Sequence, residues 1–238
     1  MAQHSAMEDI HSIPTIPQSV RNKVDASKVI LEPEHVLLPD GRKATVYAFF
    51  RTEDETNIEV CSSGTERVVV LEDQIDLLIA TWWKIFNVEI ETGLTYPQEE
   101  LLEFKDFKNY WFSVFCAVML LDSDDNLDFK TVEGRVLGTF YVKPNYPGRC
   151  GHVCNAGFLV SHLARGQGVG KLLGALYCRW APKLGYSSSI FNLVFETNVA
   201  SQRIWDGLGF DKIARVKQVA YVKGIENPVD AFIYQKIF

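Results

Sequence analysis

Arg165-Gly166-Gln167-Gly168-Val169-Gly170 leads into an apolar helical stripe, Val169, Leu172, Leu173, Leu176, Tyr177 and Trp180. The stretch before it, Asn155 to Val160, reads as a strand, so the glycines join a strand to a helix over Arg165–Leu184. Glycines at such a junction let the backbone approach a ligand without Cβ clashes. The loop's N–H groups and the helix N-terminus suit a pyrophosphate. No Gly-Lys-Ser/Thr closes the run, which excludes a P-loop, and the alternation of Gly166, Gly168 and Gly170 departs from G-x-G-x-x-G. Alone, the run is either a phosphate cradle or a plain strand–helix turn.

On the C-terminal side, Ser188–Phe195 reads as a strand and Val199–Leu208 as a helix stopped by Gly209. Two strands follow, near Asp211–Val216 and Val229–Lys236. On the N-terminal side, Phe112–Leu121 and Arg135–Lys143 are expected as strands joined by an acidic loop, and Leu101–Tyr110 as a short helix. Ile75, Leu78, Ile79, Trp82, Ile85 and Phe86 recur at helical spacing and place a helix over Asp73–Thr92. Polar Arg51–Gly64 is expected to be a loop. Val29–Phe50 reads as strand, Pro39-Asp40-Gly41 turn and strand. Strands and helices alternate only in the second half, which predicts an α/β fold with one mixed sheet and helices on both faces. Residues 1–27 are expected as a poorly ordered tail, and 28–238 as one domain.

The chain has 238 residues, and its 47% hydrophobic content is enough for a sizeable core and argues against wholesale disorder. No apolar run reaches the ~18–20 residues that span a bilayer. The start lacks the apolar segment of a secretory signal. The five cysteines are odd in number, and Cys61, Cys116 and Cys178 lie far apart, as free thiols in a cytoplasmic, reducing compartment would. A net charge of −6 disfavours nucleic acid as a partner.

Arg165 to Gly170 also matches the signature Q/R-x-x-G-x-G/A in full, and in this the chain resembles the GNAT acetyltransferase superfamily. Asn198, Ala200, Ser201, Ile204, Trp205, Leu208, Gly209 and Phe210 are similar to the GNAT helix that follows the splayed strand. Thr139 to Tyr146, Cys154 to Val160, Trp180-Ala181-Pro182, Leu184-Gly185-Tyr186 and Ser189 to Phe195 narrow the likeness. They resemble the fungal proline-analogue N-acetyltransferases, as do Thr95 to Gln98, Asn109 to Phe112 and Pro228 to Ala231. The likeness runs from about Leu37 to the C-terminus.

The resemblance implies a GNAT fold and transfer of an acetyl group from acetyl-CoA, with no metal. The implied acceptor is a small cyclic amino acid: L-azetidine-2-carboxylate, cis-4-hydroxyproline or pyrroline-5-carboxylate. The implied role is detoxification and protection against oxidative stress. Acetylation of a polyamine, a protein terminus or a lysine is a second expectation, and a non-catalytic acyl-CoA-binding module a third. The resemblance also implies a homodimer paired through the C-terminal strands, and the lack of a bilayer-length apolar run leaves no membrane partner expected.

By the same resemblance, the acetyl-CoA contacts are Phe158, Leu159, Val160, Arg165, Gly166, Gln167, Gly168, Val169, Gly170 and Asn198. Phe158 offers its N–H to the thioester oxygen, and Gly157 makes a strand bulge there easy. Asn155 contacts the acceptor, or on the bland reading satisfies its own turn. Asn192 is polar inside an apolar run and is expected to be buried with a partner; its amide and that of Leu193 meet the acceptor carboxylate. Asn198 is an evident N-cap and, by resemblance, a contact to the thioester sulfur, and the two roles can coexist. Trp205 stands where many GNAT enzymes have a tyrosine acid, and an indole N–H only donates a hydrogen bond. On strand spacing alone, Glu196 is a candidate base acting directly or through water, or else a solvated strand-end carboxylate, and His152 and His162 are weaker candidates.

Asp122, Asp124, Asn126, Asp128 and Glu133 fall at EF-hand spacings, but Leu127 stands where that turn needs glycine. A solvated loop is expected. Cys150, His152 and Cys154 alternate without a second ligand cluster, so no metal site is expected. Trp82-Trp83 and Trp111-Phe112 read as core or as walls of the acceptor pocket.

Overall fold

A computed structural model describes residues 29–52, 57–63, 66–70, 72–123, 132 and 134–238. The expected tail and most of the EF-hand-like run (Asp124, Asn126, Asp128 and Glu133) lie outside the described residues. The strands are β1 (Glu34–Leu37), β2 (Lys43–Arg51), β3 (Ile58–Ser63), β4 (Glu66–Val69), β5 (Phe115–Leu121), β6 (Val136–Pro144), β7 (Val153–Val160), β8 (Ser188–Phe195), β9 (Asp211–Ala220) and β10 (Val229–Ile237). The helices are α1 (Glu72–Thr92), α2 (Phe104–Trp111), α3 (Val169–Lys183) and α4 (Val199–Gly207). One mixed sheet runs β4-β3-β2-β5-β6-β7-β8-β10-β9, with β1 on β2.

Period-two alternation divides the core into two layers. On one face Phe140, Ala156, Leu173, Tyr177, Trp180 and Trp205 pack together under α3 and α4. On the other, Tyr141 and Leu159 pack with Ile79, Trp82, Phe86, Phe107 and Trp111 of α1 and α2. Helices therefore cover both faces, as the sequence pattern predicts. Trp82, Trp111 and Phe112 are core residues. Gly138 is required by close packing, since a Cβ there would lie 2.9 Å from Val169 Cγ1 and 2.5 Å from Leu173 Cδ1. Its absence lets α3 rest directly on β6.

Two expectations change. Part of the supposed loop Arg51–Gly64 is β3, where Ile58 and Val60 are buried around half-buried Glu59. That alternation is too short to stand out between polar neighbours. The strand expected over Asp211–Val216 continues to Ala220 as β9. Among the described residues no helix is long and apolar enough to cross a membrane.

Candidate active site

β7 and β8 run parallel, but their ladder holds only Val153↔Ser188 and Cys154↔Ser189. Beyond it the strands part. Asn155 sits at the apex, where its Nδ2 donates to the Ile190 carbonyl at 2.9 Å. A side chain thus takes the place of the next ladder bond. Below the fork, on the α3/α4 face, Phe158, Phe191, Trp205 and Phe210 fill the space. Trp205 lies 4.9 Å from the Phe158 centroid and 4.4 Å from that of Phe191. Trp205 is therefore a buried packing residue.

The bulge expected at Gly157 is absent, and β6 pairs with β7 in continuous register from Gly138↔Val160 to Pro144↔Cys154. Gly157 has another cause: a Cβ there would lie 2.8 Å from Cζ of Tyr141, whose ring covers it. No bulge is needed to free the Phe158 amide. Ser161 N–H donates to Leu137, and Asn145 N–H to Val153. Odd positions of β7 therefore bond to β6, and even positions point towards the fork. The N–H of Phe158 faces the side that β8 has left. Its carbonyl accepts the Tyr96 hydroxyl at 2.8 Å. Leu159 is buried, with its backbone turned to β6, whereas Val160 is half-buried.

β8 carries the bulge instead. Phe232 pairs with Val194 and Tyr234 with Phe191, so Asn192 and Leu193 together oppose Ile233. Both are exposed in succession, which breaks the alternation. Asn192 is therefore exposed, against the burial that its place in an apolar run suggests. It exchanges amide hydrogen bonds with Asn145, at 2.7 and 3.4 Å.

The glycine run begins where expected. Gly166 and Gly168 have φ of +74° and +79°, which other residues adopt only with strain. Gly168 precedes α3, and no side chain caps that helix. The N–H groups of its first turn thus lack intrahelical partners, and such a cradle fits a pyrophosphate. Gly170 faces α4, where a Cβ would lie 3.1 Å from Ile204 Cδ1. Gln167 bonds to the Leu163 carbonyl and Arg42, and Arg165 pairs with buried Glu89 of α1.

Asn198 caps α4 by accepting the Ser201 N–H on Oδ1 at 3.1 Å. Glu196 is turned away from the fork. Its carboxylate accepts the Asp230 N–H at 3.1 Å and pairs with Arg215 at 3.2 Å. That engagement does not suit a free base. His152 and His162 are exposed. Cys154 is buried against the Tyr177 hydroxyl while Cys150 is exposed, and among the described residues no group of three His, Cys, Asp or Glu could hold a metal. Tyr110, Tyr141 and Lys143 also gather beside the fork. All three lie in stretches that carry the family resemblance, but the sequence singles out none of them as a site residue, although Lys143 is a charge closing an apolar strand.

A parted pair of strands, an uncapped glycine entrance to a helix and an amide turned into the gap form one arrangement. The profile of the acetyltransferase (GNAT) family matches residues 81–210, which span more than half of the chain. The chain belongs to the GNAT acetyltransferase family. It is similar to N-acetyltransferase aca1 of Schizosaccharomyces pombe, with 41% identity over 172 residues covering 68% of this chain and 80% of that protein. It is also 34% identical over 192 residues to protein SPT10 of Saccharomyces cerevisiae, covering 64% of this chain but 30% of that one. A GCN5-related N-acetyltransferase from Kribbella flavida superposes with a TM-score of 0.58 at 25% identity, over 71% of this chain and 95% of its own. YncA from Salmonella typhimurium, solved with acetyl-CoA, gives 0.57 at 16% identity over 71% and 92%, a likeness of fold. This GNAT protein is thus an acetyl-CoA-dependent N-acetyltransferase.

Proposed function

We propose that the acceptor is a small cyclic amino acid such as L-azetidine-2-carboxylate, cis-4-hydroxyproline or pyrroline-5-carboxylate, and that its acetylation detoxifies proline analogues and protects against oxidative stress. The observation that carries the acceptor site is the fork itself. β7 and β8 separate after Cys154–Ser189, and Asn155, Asn192 and Leu193 all lie on the separated stretches. The resemblance to proline-analogue enzymes supplies the substrate class.

In this reading the amides of Gly166 to Gly170 hold the pyrophosphate of acetyl-CoA, with Arg165 and Val160 bordering its path, while Leu159 is turned away into the α1/α2 core. Phe158 N–H donates to the thioester oxygen and stabilises the charge that develops there, a contact worth about 3 kcal/mol. Asn155 and the amides of Asn192 and Leu193 orient the acceptor. The amine lone pair forms the C–N bond as the C–S bond breaks, and the amine proton leaves to solvent; pyrroline-5-carboxylate, an imine without an N–H, reacts through the primary amine of its hydrated, ring-opened form. Asn198 Nδ2 donates to the departing sulfur. The protein works in the cytoplasm, which suits its free cysteines. It forms a homodimer through β9, an edge strand that exposes Ile213 and Val219 and is followed directly by exposed Tyr221. Light scattering at twice the monomer mass would support the dimer.

The deciding experiment is thiol release from acetyl-CoA with L-azetidine-2-carboxylate, proline, lysine, spermidine and a histone-tail peptide. Release with the cyclic acids alone is expected. Turnover confined to spermidine or peptide would overturn the substrate and keep the family.

A further inference from the structure

Lys143 stands beside the acceptor fork and has no part in the steps above. It pairs across β6–β7 with Asn155, so both side chains leave the same face of the sheet. Two residues back along β6, Tyr141 covers Gly157, and its hydroxyl lies 3.1 Å from that of Tyr110 on α2. The Lys143 ammonium rests over both rings, 4.5 Å from the Tyr110 centroid and 4.7 Å from that of Tyr141. The side chain is half-buried, and no carboxylate among the described residues lies within ion-pair distance of it. The buried carboxylate of α1, Glu89, is held by Arg165 and by the Thr95 hydroxyl.

A half-buried cation without a counter-ion is costly, and two aromatic faces offset only part of that cost. Its neighbour Asn155 spends Nδ2 on Ile190, which leaves Oδ1 to accept from an amine. Cation and acceptor oxygen, side by side at the mouth of the fork, match the two ends of an amino acid.

We propose that Lys143, seated on Tyr110 and Tyr141, binds the carboxylate of the acceptor and makes the site select amino acids over amines that lack one. This rests on the amino-acid reading above and adds a charge to the neutral amides of Asn192 and Leu193. The carboxylate, rather than the ring, becomes the recognised group.

The test uses matched acceptors that differ only in the carboxylate: azetidine-2-carboxylate against azetidine, proline against pyrrolidine, and lysine against cadaverine. Thiol release is measured for the full chain and for its Lys143→Met and Lys143→Arg variants, with melting temperature and acetyl-CoA affinity as checks on folding. The native protein is expected to prefer the acid in each pair it turns over. Loss of one charged contact should raise KM for that acid about 10-fold or more in Lys143→Met, with kcat and the KM of the carboxylate-free amine little changed. Lys143→Arg should recover most of the loss. Equal effects on both members of a pair, or none, would overturn the proposal. If Lys143→Met does not fold, the native preference and Lys143→Arg decide: a native protein indifferent to the carboxylate overturns it. Cyclic acids turned over with an unchanged KM in Lys143→Met would remove Lys143 and keep the cyclic acceptor. A lysine-only enzyme whose preference over cadaverine vanishes in Lys143→Met would do the reverse. Preference for cadaverine or spermidine would remove both.

Discussion

Asn198 Oδ1 is engaged by the Ser201 N–H, so Nδ2 is the atom left for the sulfur. Its two proposed duties are therefore separable by substitution. Asn198→Asp keeps the capping oxygen and loses the donor. It should melt within a degree or two of the native protein, yet lose at least about 10-fold in kcat, on the order of one charged hydrogen bond. Asn198→Ala should lose the cap as well and cost about 1 kcal/mol in denaturant unfolding. Full kcat in Asn198→Asp would end the sulfur role. The cap was legible in the sequence because it depends on a neighbour three residues away. The need for Gly157 is not legible in the sequence, for the opposite reason. Its cause is a ring on the adjoining strand, and a Cβ at Gly157 would meet Tyr141. Gly157→Ala should thus destabilise by about 1–3 kcal/mol through overpacking, measured by urea unfolding. A small change in the midpoint would show that Tyr141 can give way. Asn192 looks buried in the sequence yet is exposed, because the bulge of β8 carries two successive side chains to the surface, and pairing against β10 cannot be counted from one strand.

At the scale of elements, the junction of β7 and α3 was readable because glycine is the residue that positive φ demands, and Gly166 and Gly168 supply it. Gly168 also faces Pro39, 3.1 Å from where a Cβ would stand. Gly168→Ala should therefore cost roughly 1–2 kcal/mol from the left-handed backbone alone. Its larger effect should fall on the KM for acetyl-CoA, with the acceptor KM unchanged. An acceptor KM that moved equally would mean the loop shapes both sites. The fork was not readable. Each strand has its own apolar pattern, and nothing in either pattern records where two strands stop pairing. β3, second from the edge between β4 and β2, is not readable for a related reason: its buried residues Ile58, Val60 and Cys61 make too short an apolar pattern to stand out.

For the whole molecule, the alternation of strands and helices was enough to predict a mixed sheet with helices on both faces, since burial of two apolar faces leaves few other solutions. Thiol behaviour offers a global check on that layering. Cys61, Cys116 and Cys154 are buried, and Cys150 is exposed. Burial pushes the Cys154 thiol up to about 12, against the hydrogen bonds from Tyr177 and Ser189. At pH 8, alkylation should mark Cys150 quickly and Cys154 only after unfolding. The folded state holds the Cys154 proton above the ordinary thiol value of 9.0, so the unfolded chain releases it first. Buried Cys116, Tyr177 and Tyr186 are raised by burial in the same direction, so stability should fall as pH rises above about 9, with the sign set by linkage. Flat stability there would show that these groups ionise as freely in the folded chain as in the unfolded one.

β7 lies in the middle of the sheet, where every amide would ordinarily be shielded from solvent deuterium. Past Cys154 only one of its edges is occupied. Its amides should therefore exchange in a two-step rhythm, slow at Gly157 and Leu159 and fast at Ala156 and Phe158. Addition of coenzyme should quench the fast members and leave the slow ones as they were. The rhythm would register, in the free protein and without any turnover, a sheet that keeps one row of donors in reserve.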